Sequence, residues 1–145
     1  MISSAEIHHA KLLVVDDLPS DLLLLKNILR AEGYGSVDST LDPVTVCELH
    51  RKNHYDLILL DLNMPGMSGF EVMEELKVVK GSEESTDLPV MVVSAQPEHW
   101  HRALRAGAKD FVSKPFKVAD VVLRVHDVLA GRLASKRLGQ AARGR

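Results

Sequence analysis

Cysteine is almost absent: Cys47 stands alone among 145 residues, which excludes an internal disulfide framework and fits a reducing cytoplasm. Aromatic residues make up only 4%, so a core has to be built from Leu, Val, Ile and Ala. Charge of one sign is also missing. The net charge of −2 leaves no bulk positive field to hold nucleic acid or an anionic membrane. No apolar run approaches the ~20 residues of a membrane helix; Leu22-Leu23-Leu24-Leu25 and Leu57-Ile58-Leu59-Leu60 are core-length pieces. Met1 to Glu6 has neither the basic start nor the apolar stretch of a signal peptide. The expectation is a soluble cytoplasmic domain without membrane or direct nucleic-acid contact. What is present, 46% hydrophobic and 26% charged residues, is ordinary globular composition for one domain.

Short apolar runs alternate with longer amphipathic ones, the pattern of a parallel α/β sheet. Leu12 to Val15, Leu57 to Leu60 and Val90 to Val93 are continuous apolar runs, as in strands covered on both faces. Weaker strands are read around Val37 and over Phe111 to Ser113. Helices follow from Pro19 to a stop at Gly33, after Asp42-Pro43, from about Ser68, from Pro97 to Gly107, and through Val118, Val121, Val125 and Leu129. That makes five strands and five helices. Leu23 and Leu24 widen the stripe of the first helix, leaving it either well buried or partly sticky. Gly81 to Asp87 reads as a solvated acidic loop. The divisions are an N-terminal extension over 1–10, the domain over 11–130, and a basic stretch over 131–145. This last stretch has Arg132, Lys136, Arg137, Arg143 and Arg145 and no acid. It reads as a solvated helix extension or linker stub, with a small basic or dimerising element as the sharper alternative.

In sheets of this kind, functional groups gather beyond the carboxyl ends of the strands. Four apolar runs here end in Asp16-Asp17, Asp61, Ser94 and Lys114. Side by side, they bring three carboxylates, a hydroxyl and an ammonium to one edge. Two carboxylates ~4 Å apart repel by roughly 4 kcal/mol at an effective dielectric of 20. One ammonium cannot balance three anions, but a hard divalent cation can. Mg²⁺ prefers one or two carboxylates, waters and phosphate oxygens, so the acids predict a metal and the metal predicts a phosphoryl substrate. Asp61, ending a buried strand, is the candidate nucleophile that becomes an acyl phosphate. Asp16 and Asp17 would hold the metal, with the backbone carbonyl of Asn63 as a further ligand. Ser94 and Lys114 would each engage a phosphoryl oxygen.

These residues resemble the receiver domain of two-component response regulators. The matching stretches are Val14-Val15-Asp16-Asp17, Leu59-Leu60-Asp61-Leu62-Asn63-Met64-Pro65-Gly66-Met67-Ser68-Gly69, Val93-Ser94-Ala95, Ala106-Gly107-Ala108 and Lys114-Pro115-Phe116, in order over residues 10–130. The resemblance implies a flavodoxin-like, doubly wound, five-stranded parallel sheet of order 2-1-3-4-5 with helices on both faces. It implies Mg²⁺, with Mn²⁺ as a substitute, and a cis bond at Lys114-Pro115. A sensor histidine kinase or histidine phosphotransfer protein would donate the phosphoryl group to Asp61. The switch positions match Ser94 and Phe111. The output surface, toward an output domain or downstream protein, matches about 97–130, and a homodimer is left open. Ser94 stands where threonine is commoner, and Phe111 has no phenolic hydroxyl, so a switch through it must work by packing. Asn63 and Gln96 lie where they would tune phosphate lifetime.

Other readings compete. A flavin or nucleotide protein of this shape needs a loop of backbone N–H groups after the first strand, and Asp16-Asp17-Leu18-Pro19 repels phosphate instead. A metal-dependent phosphohydrolase working through an aspartyl intermediate is the main alternative, with no cap domain in view. A purely scaffolding receiver would not need the complete acid, hydroxyl and lysine set. His99 and His101, at i and i+2, point to different sides of a helix and make a poor metal pair. Trp100 is a candidate partner anchor, and Cys47 is expected as a buried thiol rather than a redox switch.

Overall fold

The structure, a computed structural model, describes residues 2–79 and 88–143. The acidic connection Gly81 to Asp87 lies outside the described residues, as does Arg145. The strands are β1 (Lys11–Val15), β2 (Ser36–Thr40), β3 (Leu57–Asp61), β4 (Val90–Ser94) and β5 (Asp110–Ser113). They form one all-parallel sheet of order β2-β1-β3-β4-β5. The α-helices among the described residues are α1 (Ser4–His8), α2 (Pro19–Glu32), α3 (Val46–Asn53), α4 (Gly69–Val79), α5 (Trp100–Arg105) and α6 (Val118–Arg143).

The two-residue period of the strands sorts the core into two layers. Leu12, Val14, Leu57, Leu59, Met91, Val93 and Val112 pack with α1, α2 and α6 on one face. Leu13, Val15, Ile58, Leu60, Val90, Val92 and Phe111 pack with α3, α4 and α5 on the other. Continuous apolar runs are therefore required, because β1, β3 and β4 are covered on both sides.

Helix ends follow local chemistry. Pro19 sits in the first turn of α2, and the helix stops at Gly33 with φ 117°. That left-handed conformation suits only glycine without strain. The β4–α5 segment departs from the single helix expected from Pro97: a 3-10 turn over Pro97–His99 precedes a six-residue α5. Cys47 is half-buried rather than buried, and burial raises its thiol pKa, with Glu75 adding to the rise.

One further difference lies before β1. Among the described residues six α-helices stand where five are expected, because residues 4–8 form α1. This helix is opened by a capping box in which Ser3 Oγ accepts from the Glu6 N–H and the Glu6 carboxylate accepts from the Ser3 N–H. Of the two forms expected for the basic stretch, it takes the helix extension: α6 runs without a break through Arg143, about 39 Å in all.

Replacing Gly33 by Ala forces a side chain into positive φ and against the His8 ring, 3.1 Å from the new Cβ. Urea unfolding of Gly33→Ala should show a loss of about 1–2 kcal/mol.

Candidate functional site

Register brings the strand-end residues together. Val15 pairs with Leu60, so Asp16 follows beside Asp61, the last residue of β3; Ser94 ends β4, and Lys114 follows β5. Oxygen atoms of Asp16, Asp17 and Asp61 lie within 4.8 Å of one another. Asp16 is fully buried, Asp61 is 3% exposed and Ser94 1%, the buried polar or charged residues among those described. Asp17 is partly exposed.

The Lys114 ammonium is held at 2.9 Å from Asp16 Oδ2, 2.9 Å from Asp21 Oδ2 and 3.8 Å from Asp61 Oδ1. Asp21, in the first turn of α2, is a site residue that the strand-end argument missed. The available signal was its place two residues after Pro19, an acid in the first turn of a helix that opens beside the strand-end acids. Asp16 also caps the loop, its Oδ1 accepting from the Leu18 N–H at 3.0 Å. Asp61 Oδ1 accepts from the Asn63 N–H at 3.3 Å. Ser94 Oγ accepts from the Gln96 N–H at 3.0 Å, while the Ser94 carbonyl accepts from the Lys114 N–H at 3.0 Å. Asn63 and Gln96 are exposed at the rim. The Lys114-Pro115 peptide is cis.

Electrostatics follow from this crowding. Burial, then the neighbouring Asp16 charge, pushes the Asp61 carboxyl pKa up to about 7, although Lys114 and the Asn63 N–H act against the rise. For Lys114, burial acts to lower its pKa, but hydrogen bonds to Asp21 and Asp16 and the charges of Asp61 and Asp16 lift it above its ordinary value. Four carboxyl groups face one ammonium. The donor set therefore fits a hard divalent cation: all-oxygen, multiply anionic and incompletely neutralised. Asp16, Asp17 and Asp61 are the residues that would hold it.

The loop after Asp61 is built for close approach. A Cβ on Gly69 would lie 2.5 Å from the Asp61 carbonyl oxygen and 2.9 Å from Leu62 Cα, so α4 can start against the end of β3 only with glycine there. Phe70 follows immediately. The Arg102 guanidinium lies 3.9 Å from the centroid of its ring, and His99 meets it edge-on at 5.8 Å, joining the start of α4 to α5 and the turn before it. Phe111, buried beneath α5, lies 5.2 Å from Trp100. Neither contact could be read from spacing, since Phe70 and Arg102 are 32 residues apart.

The model of the response regulator receiver domain matches residues 12–126. This chain belongs to that family. Its receiver is similar to chemotaxis protein CheY-3 of Vibrio cholerae, with 33% identity over 111 residues, 75% of this chain and 83% of that protein. It is also 34% identical over 133 residues to the response regulator PleD of Caulobacter vibrioides, covering 90% of this chain but only 28% of PleD. Among solved structures, the receiver domain of the sensor histidine kinase PA1611 from Pseudomonas aeruginosa superposes with a TM-score of 0.74. The identity is 25%, and 84% of this chain and 98% of that one are covered; that structure has a magnesium ion coordinated in its active site cleft. The fold is thus the flavodoxin-like receiver fold. No described helix is long and apolar enough to cross a membrane.

Because folded Asp61 holds its proton to about pH 7 and an unfolded aspartate only to about 4, the native state binds the extra proton between those values. Metal-free stability therefore falls as pH rises across that window and levels off above it. Asp61→Asn removes the titration. In EDTA, the variant should gain roughly 2–4 kcal/mol on the wild-type protein between pH 4 and pH 8, measured by urea unfolding. A gap constant with pH would refute the raised value.

Proposed function

We propose that this receiver accepts a phosphoryl group on Asp61 from the phosphohistidine of a sensor kinase or phosphotransfer protein, and acts as a switch rather than a turnover enzyme. The observation that carries this reading is the buried Asp61 carboxylate at the end of β3, with Asp16 and Asp17 oxygens within 4.8 Å and the Lys114 ammonium at 3.8 Å. Bound Mg²⁺, or Mn²⁺ in its place, supplies neutralisation of the phosphoryl oxygens during transfer. Asp16, Asp17, Asp61 and the Asn63 carbonyl are the proposed ligands.

The protein's own part is positioning. Deprotonated Asp61 attacks phosphorus in line; the new O–P bond forms as the P–N bond breaks, and the electron pair stays on the donor imidazole. Lys114 shifts from its carboxylate partners toward one phosphoryl oxygen, and Ser94 turns its hydroxyl to another. Phosphorylation adds charge where the site is already overloaded, and that difference biases two conformations. Gly69, Phe70 and Arg102 offer a route of packed groups to α5, and Trp100 rests on Phe111; both support an output surface over about 97–130. Exposed Asn63 and Gln96 stand where they tune access of hydrolytic water. A cytoplasmic location follows from the donor chemistry.

Leu18 and Leu24, 49% and 45% exposed, stand three residues before and after Asp21, the residue that binds Lys114. A protein donor has to cover this rim to bring its phosphorus to a nearly buried carboxylate. Leu24 is sticky surface, as its excess over a buried stripe suggests.

Intact-mass measurement after treatment with acetyl phosphate and Mg²⁺ should show one added phosphoryl group, lost in Asp61→Asn and in EDTA. Equal labelling of the variant removes Asp61 as acceptor, and multiple-turnover phosphate release from a model ester moves the reading to hydrolysis. Leu24→Asp should slow transfer from a phosphorylated histidine phosphotransfer protein about tenfold, a cost of ~1.4 kcal/mol, and leave acetyl phosphate labelling unchanged. Equal slowing with both donors would place Leu24 inside the site instead of at a docking rim.

A further inference from the structure

The family match spans residues 12–126, and the segments on either side of it meet in space. α1 packs against α6 at the amino ends of the strands, the pole opposite the acids. Ile7 is 2% exposed in the same apolar cluster as Leu129, and Ile2 and Leu133 close over it from the two segments. Glu6 pairs with Arg137. His8 stands edge-on to Tyr34, 5.1 Å between ring centroids, fixing α1 to the end of α2.

The basic face of α6 is committed to the same corner. Arg132 Nε lies 3.3 Å and Lys136 Nζ 3.8 Å from Asp56 Oδ1. Asp56 is itself fixed, since its other carboxylate oxygen accepts from the Lys11 N–H at 2.9 Å and its own N–H donates to the Lys11 carbonyl at 2.7 Å. Arg132 is nearly buried in this pairing, and Lys136 and Arg137 pair with their acids at the surface.

α6 has reason to need such support. Gly131 and Gly139 interrupt its last turns, where glycine is a weak helix former, and Leu138 is left exposed. A helix end of this composition frays unless something packs on it. The same helix reaches β5 at its other end, where Arg124 bridges to Asp110 at 2.6 Å, one residue before Phe111.

We propose that residues 2–8 form a strap that keeps the last turns of α6 folded and seated on the sheet, and so sets how freely this helix can move against β5. The strap is a conformational device added to the receiver from outside its family core, and it does not depend on the phosphorylation chemistry.

Hydrogen exchange of amides 133–138 in the full chain tests it. Ile7→Asp should speed their exchange about tenfold or more while amides of β1, β3 and β4 keep their protection. The pair Ser3→Ala/Glu6→Gln removes only exposed contacts of α1, so the domain folds whatever Ile7→Asp does, and it should speed the same amides about threefold. Wild-type exchange of 133–138 in the exposed pair, or in a folded Ile7→Asp, overturns the proposal. Acetyl phosphate labelling of Asp61 is read on the same samples, so failure of the acceptor reading is seen separately.

Discussion

Too many carboxylates for the available ammonium, held at the carboxyl edge of a parallel sheet, is the constraint from which the rest of this molecule follows. Asp16 and Asp61 are buried and adjacent because β1 and β3 are adjacent and in register. Lys114 answers part of that charge by lying between Asp16 and Asp21, which ties the segment after β5 to the start of α2 across the top of the sheet. Burial first, and then the remaining imbalance, keep the Asp61 proton in place near neutrality, and a divalent cation would relieve the imbalance. Cationic charge added to such a site relieves the repulsion, and anionic charge adds to it.

That sensitivity is useful only if it is mechanically connected. The connections run through close packing rather than through long hydrogen-bonded chains. Gly69 lets α4 abut the Asp61 carbonyl, Phe70 stands one residue later, and Arg102 of α5 and His99 of the turn before it enclose its ring. Phe111 lies on the same face of the sheet, in the same apolar cluster as Val92 and Ala103, with Trp100 against its ring. The other face carries α6, joined to β5 by Arg124 and gripped at its far end by α1. The two layers thus meet the site differently, one through the turn between β3 and α4 and the other through the strand that precedes Lys114.

Most of the architecture was legible in the amino-acid order because parallel strands covered on both faces must be continuous apolar runs, and such runs stand out. The acids, hydroxyl and lysine were legible for a related reason: each directly follows a run. Asp21 was not, since it belongs to a helix and reaches Lys114, 93 residues away, only by the crossing of α2 over the sheet edge. α1 was missed because five helical residues with one buried isoleucine carry almost no periodic signal. The ion pairs of the basic stretch were not legible, because its partners Asp56 and Glu6 are 76 and 131 residues distant.

Local order in the chain therefore determined the alternation of strands and helices, the two-sided burial of β1, β3 and β4, and the kinds of chemical group available at strand ends, all of which depend on neighbours a few residues apart. Tertiary structure alone decided which carboxylates share the Lys114 ammonium, where the Phe70 ring is held, and that the two ends of the chain close on each other. Those outcomes depend on distances across the fold, and Coulomb and packing energies vary with separation in space rather than along the backbone.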